Sequence, residues 1–102
     1  MLWEILVPKE VNGKKVDISY HKEWDKKVKK ISGGLTILKP VKGQWVSPNN
    51  EQFDEPMIPV RVICKYQYEI EAIMEITLKH YLQEEVLAYK LSDVVIKKRL
   101  VK

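Results

Sequence analysis

Apolar and polar residues alternate with a period of two in several segments of the chain, which predicts β-strands. In the first, Leu2 to Val7, the side chains of Trp3, Ile5 and Val7 share one face and Pro8 ends the strand. The segment from Met57 to Lys65 alternates in the same way and is the strongest strand prediction. Shorter apolar runs predict further strands at 35–39, 44–46 and 85–91.

Two other segments have the spacing of an amphipathic helix. After Ser19, which we expect to be the N-cap, Trp24, Val28 and Ile31 recur at i, i+4 and i+7. Gly33 is expected to end this helix in the left-handed conformation. The second helix is predicted from about residue 67 to 82, with one buried stripe: Ile70, Ile73, Thr77 and Tyr81.

Turn-forming residues separate these elements. Asn12-Gly13 predicts a short hairpin or an exposed loop between residues 9 and 18, and Pro40 to Gly43 predicts a turn that joins two short strands in a hairpin. Residues 47–56 are predicted as a polar loop. With 102 residues the chain is expected to form a single domain, in which residues 93–102 form a C-terminal arm or an extra strand.

The order strand, helix, short hairpin, strand, helix, strand predicts the fold class. We expect an α+β protein, a ferredoxin-like split βαβ sandwich with both helices on one face of an antiparallel sheet. The first and third main strands should be central neighbours. Glu4 and Arg61 are then expected to pair across that junction, on the face away from the helices.

That second face is strongly apolar. Two helices cover only one side of such a sheet, and an apolar patch of this size is unusual on a monomer. The simplest cover is a second copy, which gives a two-fold dimeric α/β barrel. The alternative is that the C-terminal arm or the loop 47–56 folds over the face. The predicted residues of the patch are Leu2, Leu6, Leu38, Met57, Ile63 and Tyr89.

The composition of the chain indicates the cellular compartment of the protein. The single cysteine, Cys64, excludes a disulfide framework and is predicted to be buried. Residues 1–7 have neither the basic start nor the cleavage site of a signal peptide, and no apolar run approaches the ~20 residues of a membrane span. We therefore expect a cytoplasmic protein that does not contact a membrane.

The net charge of +4 is too small to imply nucleic acid by itself, but the cations are clustered. A basic helix and a basic tail make nucleic-acid binding the first alternative function, although no aromatic-rich RNA-binding strand accompanies them. The residues of this predicted interface are Lys22, Lys26, Lys27, Lys29, Lys30, Lys97, Lys98 and Arg99.

Candidate catalytic chemistry is sparse. His21 and Asp25 stand at i, i+4 but lack further metal ligands, so we expect no metal site and no cofactor. The acidic residues of the loop 47–56 need no explanation beyond solvation. The second alternative, a small dimeric-barrel enzyme, requires a hydrophobic cleft, and its predicted lining is Trp3, Trp24, Trp45, Tyr66, His80 and Tyr81. No residue is assigned as catalytic, and the sequence favours a protein that is not an enzyme.

Gly33-Gly34-Leu35-Thr36 is followed, after six residues, by Gly43-Gln44-Trp45 and then by an acidic stretch. With the Pro-ended first strand, this order resembles a group of small uncharacterised bacterial and archaeal proteins, over roughly residues 2 to 90. The resemblance implies a ferredoxin-like fold and no established activity. The glycines have a structural interpretation as turn residues, and they lack the spacing of a phosphate-binding loop. The sequence thus predicts a homo-oligomeric binding or structural module with an unidentified ligand.

Overall fold

The computed structural model describes residues 1–101. Its two helices are α1 (Ile18–Lys29) and α2 (Gln67–Tyr81). The strands are β1 (Leu2–Pro8), β2 (Glu10–Val11), β3 (Lys14–Lys15), β4 (Gly34–Ile37), β5 (Val41–Val46), β6 (Gln52–Ile63) and β7 (Ala88–Ser92). Neither helix within the described residues is long and apolar enough to cross a membrane.

One antiparallel sheet carries both helices, which confirms the predicted α+β class. Its strand order is β4-β6-β1-β7, and β5 also pairs with β6. As expected, β1 and β6 are central neighbours, in a register that sets Glu4 opposite Arg61. The Arg61 Nε lies 3.3 Å from Glu4 Oε1, so the predicted pair is confirmed.

The core lies between this sheet and the two helices. Trp3, Ile5 and Val7 of β1 are buried there with Val60 and Val62 of β6 and with Cys64, which directly follows β6. From the helices come Trp24, Val28 and the whole stripe predicted for α2. The alternation along β1 and β6 therefore divides each strand into a helix-facing side and an opposite side, which we call the front face.

The ends of α1 differ from the prediction. The helix begins after Asp17 rather than Ser19, and it is capped at Lys30 in a right-handed conformation. Gly33 does not adopt positive φ. Its amide instead donates to Ile63 O at 2.9 Å, because the chain passes directly into β4 alongside β6. Glycine at the next position suits that close approach, since a Cβ on Gly34 would lie 2.9 Å from Ile63 Cδ1.

The expected hairpin between 35–39 and 44–46 is wrong. Both β4 and β5 pair antiparallel with β6, so they follow one another along the same edge of one long strand. The predicted polar loop 47–56 is also too long, because β6 already begins at Gln52. The turn spans residues 47–51 and is closed by Ser47 N donating to Glu51 O at 2.8 Å.

After α2, fewer residues form regular secondary structure than the sequence predicts. The left-handed Leu82 ends α2, and β7 starts at Ala88 rather than at residue 85. Residues 94–101 form neither a helix nor a strand, and their apolar side chains are exposed. The predicted extra strand is therefore not formed, and the segment is an arm.

Candidate functional site

A cleft of about 280 Å³ lies where the start of α1 meets the end of α2. The β2–β3 hairpin forms its third side. Asn12 and Gly13 have φ of 53° and 75°, the left-handed values of a tight two-residue hairpin turn, so the predicted Asn-Gly turn is confirmed. The cleft is lined by Val11, Lys14, Lys15, Val16, Asp17, Tyr20, His80, Tyr81 and Leu82.

The imidazole of His80 is only 5% exposed, and both of its nitrogens have partners. Its Nε2 lies 2.8 Å from Tyr20 O, which can only accept, so Nε2 carries the proton. Its Nδ1 therefore accepts from Lys27 Nζ, which lies 3.1 Å away. The Tyr20 hydroxyl donates to His80 O, and the rings of Tyr20 and His80 are in contact, with centroids 4.0 Å apart and planes tilted by 30°.

A second histidine contacts the same cluster. His21 Nδ1 lies 2.7 Å from the Tyr81 hydroxyl. Burial lowers the pKa of His21 and raises that of Tyr81 far above its usual value. Asp25 acts in the opposite direction on His21, and its own pKa is raised by burial. The pair is therefore a neutral imidazole against a neutral phenol at physiological pH.

Deeper in the contact between α1 and α2, Trp24 and Thr77 join the two helices. The Trp24 indole N–H donates to Thr77 Oγ1 at 3.0 Å, and that hydroxyl donates to Ile73 O at 2.7 Å. Every buried polar atom in this chain of bonds has a partner. Trp24 and Tyr81 are also in aromatic contact. The helices are thus held in one register by directional bonds as well as by apolar packing.

This arrangement limits the chemistry of the cleft. Since both nitrogens of His80 are bonded within the protein, it has no free lone pair for a ligand. What faces solvent is the partly exposed ring of Tyr20 with the ammonium groups of Lys14 and Lys15. Such a surface suits an anionic group rather than a metal. Within residues 1–101 no three His, Cys, Asp or Glu side chains are grouped to hold a metal ion.

The six residues predicted to line a cleft are only partly brought together. His80 and Tyr81 line the cleft, and Trp24 lies behind them in the core. Tyr66 precedes α2, at the opposite end of that helix, where it stacks on Tyr68.

The remaining two predicted lining residues also lie elsewhere. Trp3 is a core residue of β1, and its Nε1 has no hydrogen-bond partner within residues 1–101. Trp45 lies on β5. Two of the six predicted residues, His80 and Tyr81, therefore line the observed cleft, whereas Tyr20, in the first turn of α1, was missed.

The cations predicted for nucleic acid are all exposed. Five are on α1 or at its end, and three are on the C-terminal arm. Within residues 1–101 none of the eight forms a salt bridge. Of these eight cations, Lys27 donates a hydrogen bond to His80. Sequence reasoning left out Lys14 and Lys15, which the hairpin brings close to the start of α1.

Two other candidate groups have structural explanations. Cys64 is buried, and burial raises the pKa of its thiol, as expected for a core residue rather than a nucleophile. Glu51, Asp54 and Glu55 are exposed, and Asp54 pairs with Lys42 at 3.5 Å.

Comparison with known proteins supports the fold and little more. No protein-family model matches the chain, and no curated protein matches it in sequence. Among solved structures, a phage SAM lyase in complex with S-methyl-5'-thioadenosine is similar, with a TM-score of 0.60 and 12% sequence identity. The similarity covers 85% of this chain and 76% of that chain. At this identity the two proteins share a fold, and the comparison assigns no activity.

The Trp24–Thr77 bond gives a first prediction. Replacing Thr77 by Val keeps the shape but leaves the buried indole N–H of Trp24 without an acceptor, which should lower the free energy of unfolding by about 1–3 kcal/mol. Urea unfolding measures the change. Thr36→Val, at an exposed position of β4, is the control and should be close to neutral. Equal stability of the two variants would contradict the role given to this bond.

The lowered pKa of His21 gives a second prediction. Because the folded protein binds the His21 proton less tightly than the unfolded chain does, its neutral form contributes stability above the unfolded pKa of about 6.5. That contribution is lost as the pH falls from there towards the folded pKa. The unfolding midpoint should therefore drop between pH 7.5 and 5.5, and less so in His21→Gln. An identical drop in both proteins would show that His21 is not responsible.

Proposed function

We propose that this protein is a homo-oligomeric binding module in which copies of the chain cover one another's front faces. The observation that carries the proposal is that the chain leaves this face open. Leu2, Leu6 and Ile63 are only partly buried there, and the Tyr89 side chain is 45% exposed. Within residues 1–101 both helices pack on the other side of the sheet, so neither covers this one.

The two intramolecular covers considered for this face are not used. The arm at 94–101 is exposed along its whole length, and so are most residues of the 47–51 turn. Met57 is the exception within the predicted patch, since it is buried and its Cγ lies 3.0 Å from where a Cβ on Gly43 would be. The apolar area that remains runs from Ile63 across β1 to β7.

A second copy is a suitable occupant on energetic grounds. A standard interface buries ~800 Å² per partner, which is a modest part of the chain's accessible surface of 7738 Å². The only ion pair on the central strands of the face, Glu4 with Arg61, is already satisfied within one chain. Its burial would leave no unpaired charge, and closed symmetric dimers are the most common oligomers.

We place the protein in the reducing cytoplasm, since its one cysteine is buried and unpaired. Ligand binding belongs, in this proposal, to the cleft at Tyr20 and His80, whose lysines favour an anion. The SAM lyase reaction of the structural neighbour is not carried over, because the cleft sets the two cations Lys14 and Lys15 against the single carboxylate of Asp17, a balance that repels a sulfonium cation.

Self-association of the purified chain is the third prediction. Sedimentation velocity at micromolar concentration should show a dimer or a larger closed oligomer, and Tyr89→Lys should weaken association at least about tenfold by placing a charge in the interface. Tyr89 is exposed enough for the variant to fold. Ile18→Lys, at a 69% exposed position of α1, is the matched control and should associate normally. A chain that stays monomeric at 100-fold higher concentration would overturn the proposal.

Nucleic-acid binding is a second candidate function, supported by the exposed cations of α1. Lys22, Lys26 and Lys29 or Lys30 recur on neighbouring turns of a helix of 12 residues, with no carboxylate in salt-bridge contact within the described chain. Glu23 and Asp25 reduce the charge of the helix as a whole. Binding of this kind would act on phosphates and carry no sequence preference.

The fourth prediction follows from this candidate. Fluorescence anisotropy with a labelled 20-base-pair duplex should show binding at low salt that weakens steeply as salt is raised, because counterions are released. Lys26→Glu with Lys29→Glu should lower the affinity about tenfold or more, whereas Lys79→Glu on α2 should have little effect. Binding that is insensitive to salt, or absent at low salt, would remove nucleic acid as a function.

A further inference from the structure

The C-terminal arm, residues 94–101, exposes more apolar surface than its neighbourhood explains. Val94, Ile96, Leu100 and Val101 are between 69% and 89% exposed. The arm contains neither Gly nor Pro, and its β-branched residues favour an extended strand. No strand of the described chain pairs with it. A segment of this composition gains stability only when another surface covers it.

A second part of the molecule, the β6 edge at residues 52–55, has no strand of the described chain paired with it on one side. Residues 41–46 of β5 and 52–56 of β6 form a two-stranded ribbon that extends past the end of β1, since β1 pairs with β6 only from Met57 onwards. Two-stranded ribbons are marginally stable in water and are stabilised by a third strand. Within residues 1–101 no strand pairs with residues 52–55 on the side opposite β5.

Charge distinguishes the two edges of this ribbon. The β6 edge carries Asp54 and Glu55, and Glu51 lies in the adjoining turn. The β5 edge carries Lys42, whose Nζ lies 3.5 Å from Asp54 Oδ2, so Glu51 and Glu55 are the acidic residues that form no salt bridge within residues 1–101. The arm has three consecutive cations, Lys97, Lys98 and Arg99, which these two carboxylates attract to the β6 side of the ribbon.

Lengths and shape agree with this pairing. Eight extended residues span about 26 Å, which is longer than the four-residue edge that they would cover. A shallow groove of about 340 Å³ lies at the base of the ribbon, and Val41, Glu55 and Pro56 are among its lining residues. Phe53 on β6 is 46% exposed and provides further apolar contact.

We propose that the C-terminal arm of one copy adds as a third strand to the β6 edge of the ribbon, residues 52–55, in a neighbouring copy. Main-chain hydrogen bonds would supply most of the affinity, and the basic arm against the acidic edge would supply the register. This inference rests on the proposed function, because it names the element that joins the copies of a homo-oligomer.

A charge exchange tests the pairing directly. Reversal of the arm (K97E/K98E/R99E) should weaken association about tenfold, and so should reversal of the ribbon (E51K/D54K/E55K). The two reversals together should restore association to within about threefold of the original chain. The control is K26E/K29E/K30E, at the end of α1, which changes the net charge of the chain by the same amount as the arm reversal. This variant should associate normally. Failure of the combined variant to recover would overturn the inference.

Truncation separates this inference from the proposed function. A chain ending at Asp93 should associate at least about tenfold more weakly, and its amides at 52–55 should exchange with deuterium faster than in the full chain. If the truncated chain associates as well as the full one, the arm is not the joining element, although the front-face oligomer stands. If the full chain is monomeric, both proposals fail. Circular dichroism verifies that each variant is folded.

Discussion

The pairing of β1 with β6 is the constraint from which the rest of the structure follows. Because side chains alternate across a strand, this register decides in one step which residues face the helices and which face outward. Trp3, Ile5 and Val7 meet the helices, whereas Leu2, Glu4 and Leu6 form the front face. A shift by one residue would exchange the two sets. The same register that buries the core therefore also creates the apolar face that a second copy is proposed to cover.

The sheet fixes the position of the two helices, and hydrogen bonds between buried polar groups fix their register along each other. Apolar stripes alone permit some sliding of α1 along α2. The bonds of Trp24 to Thr77 and of His80 to Tyr20 remove this freedom, because each has a fixed direction and leaves a buried polar atom unsatisfied when it breaks. One consequence is that the histidine closest to the cleft serves the fold. The exposed lysines of the β2–β3 hairpin are then the groups left to meet a ligand.

The main elements were predictable because their signals are local. The alternation in β1, the stripe of α2 and the Asn12-Gly13 turn each follow from spacing along the chain, and the Glu4–Arg61 pair follows from the strand order that these elements imply. Predictions failed where long-range packing decided the outcome. Gly33 looked like a left-handed cap, but the passage of the chain beside Ile63 fixed its conformation instead. The polar residues 52–55 resembled a loop, but pairing with β5 made them a strand. Only two of the six predicted lining residues, His80 and Tyr81, line the cleft, since residues 20 and 80 meet through the tertiary fold.

An exposed β-prone arm is a hazard as well as an opportunity for assembly. An unpaired strand that meets an open edge can extend from copy to copy without limit, and such head-to-tail contacts yield fibres unless the rotation between copies closes. The three consecutive cations of the arm prevent arms from pairing with one another and restrict the contact to the acidic edge. In the proposed oligomer, covering of the front face would add a second contact that fixes the rotation between copies. If both proposed contacts form, the apolar face would favour a closed assembly over an open one.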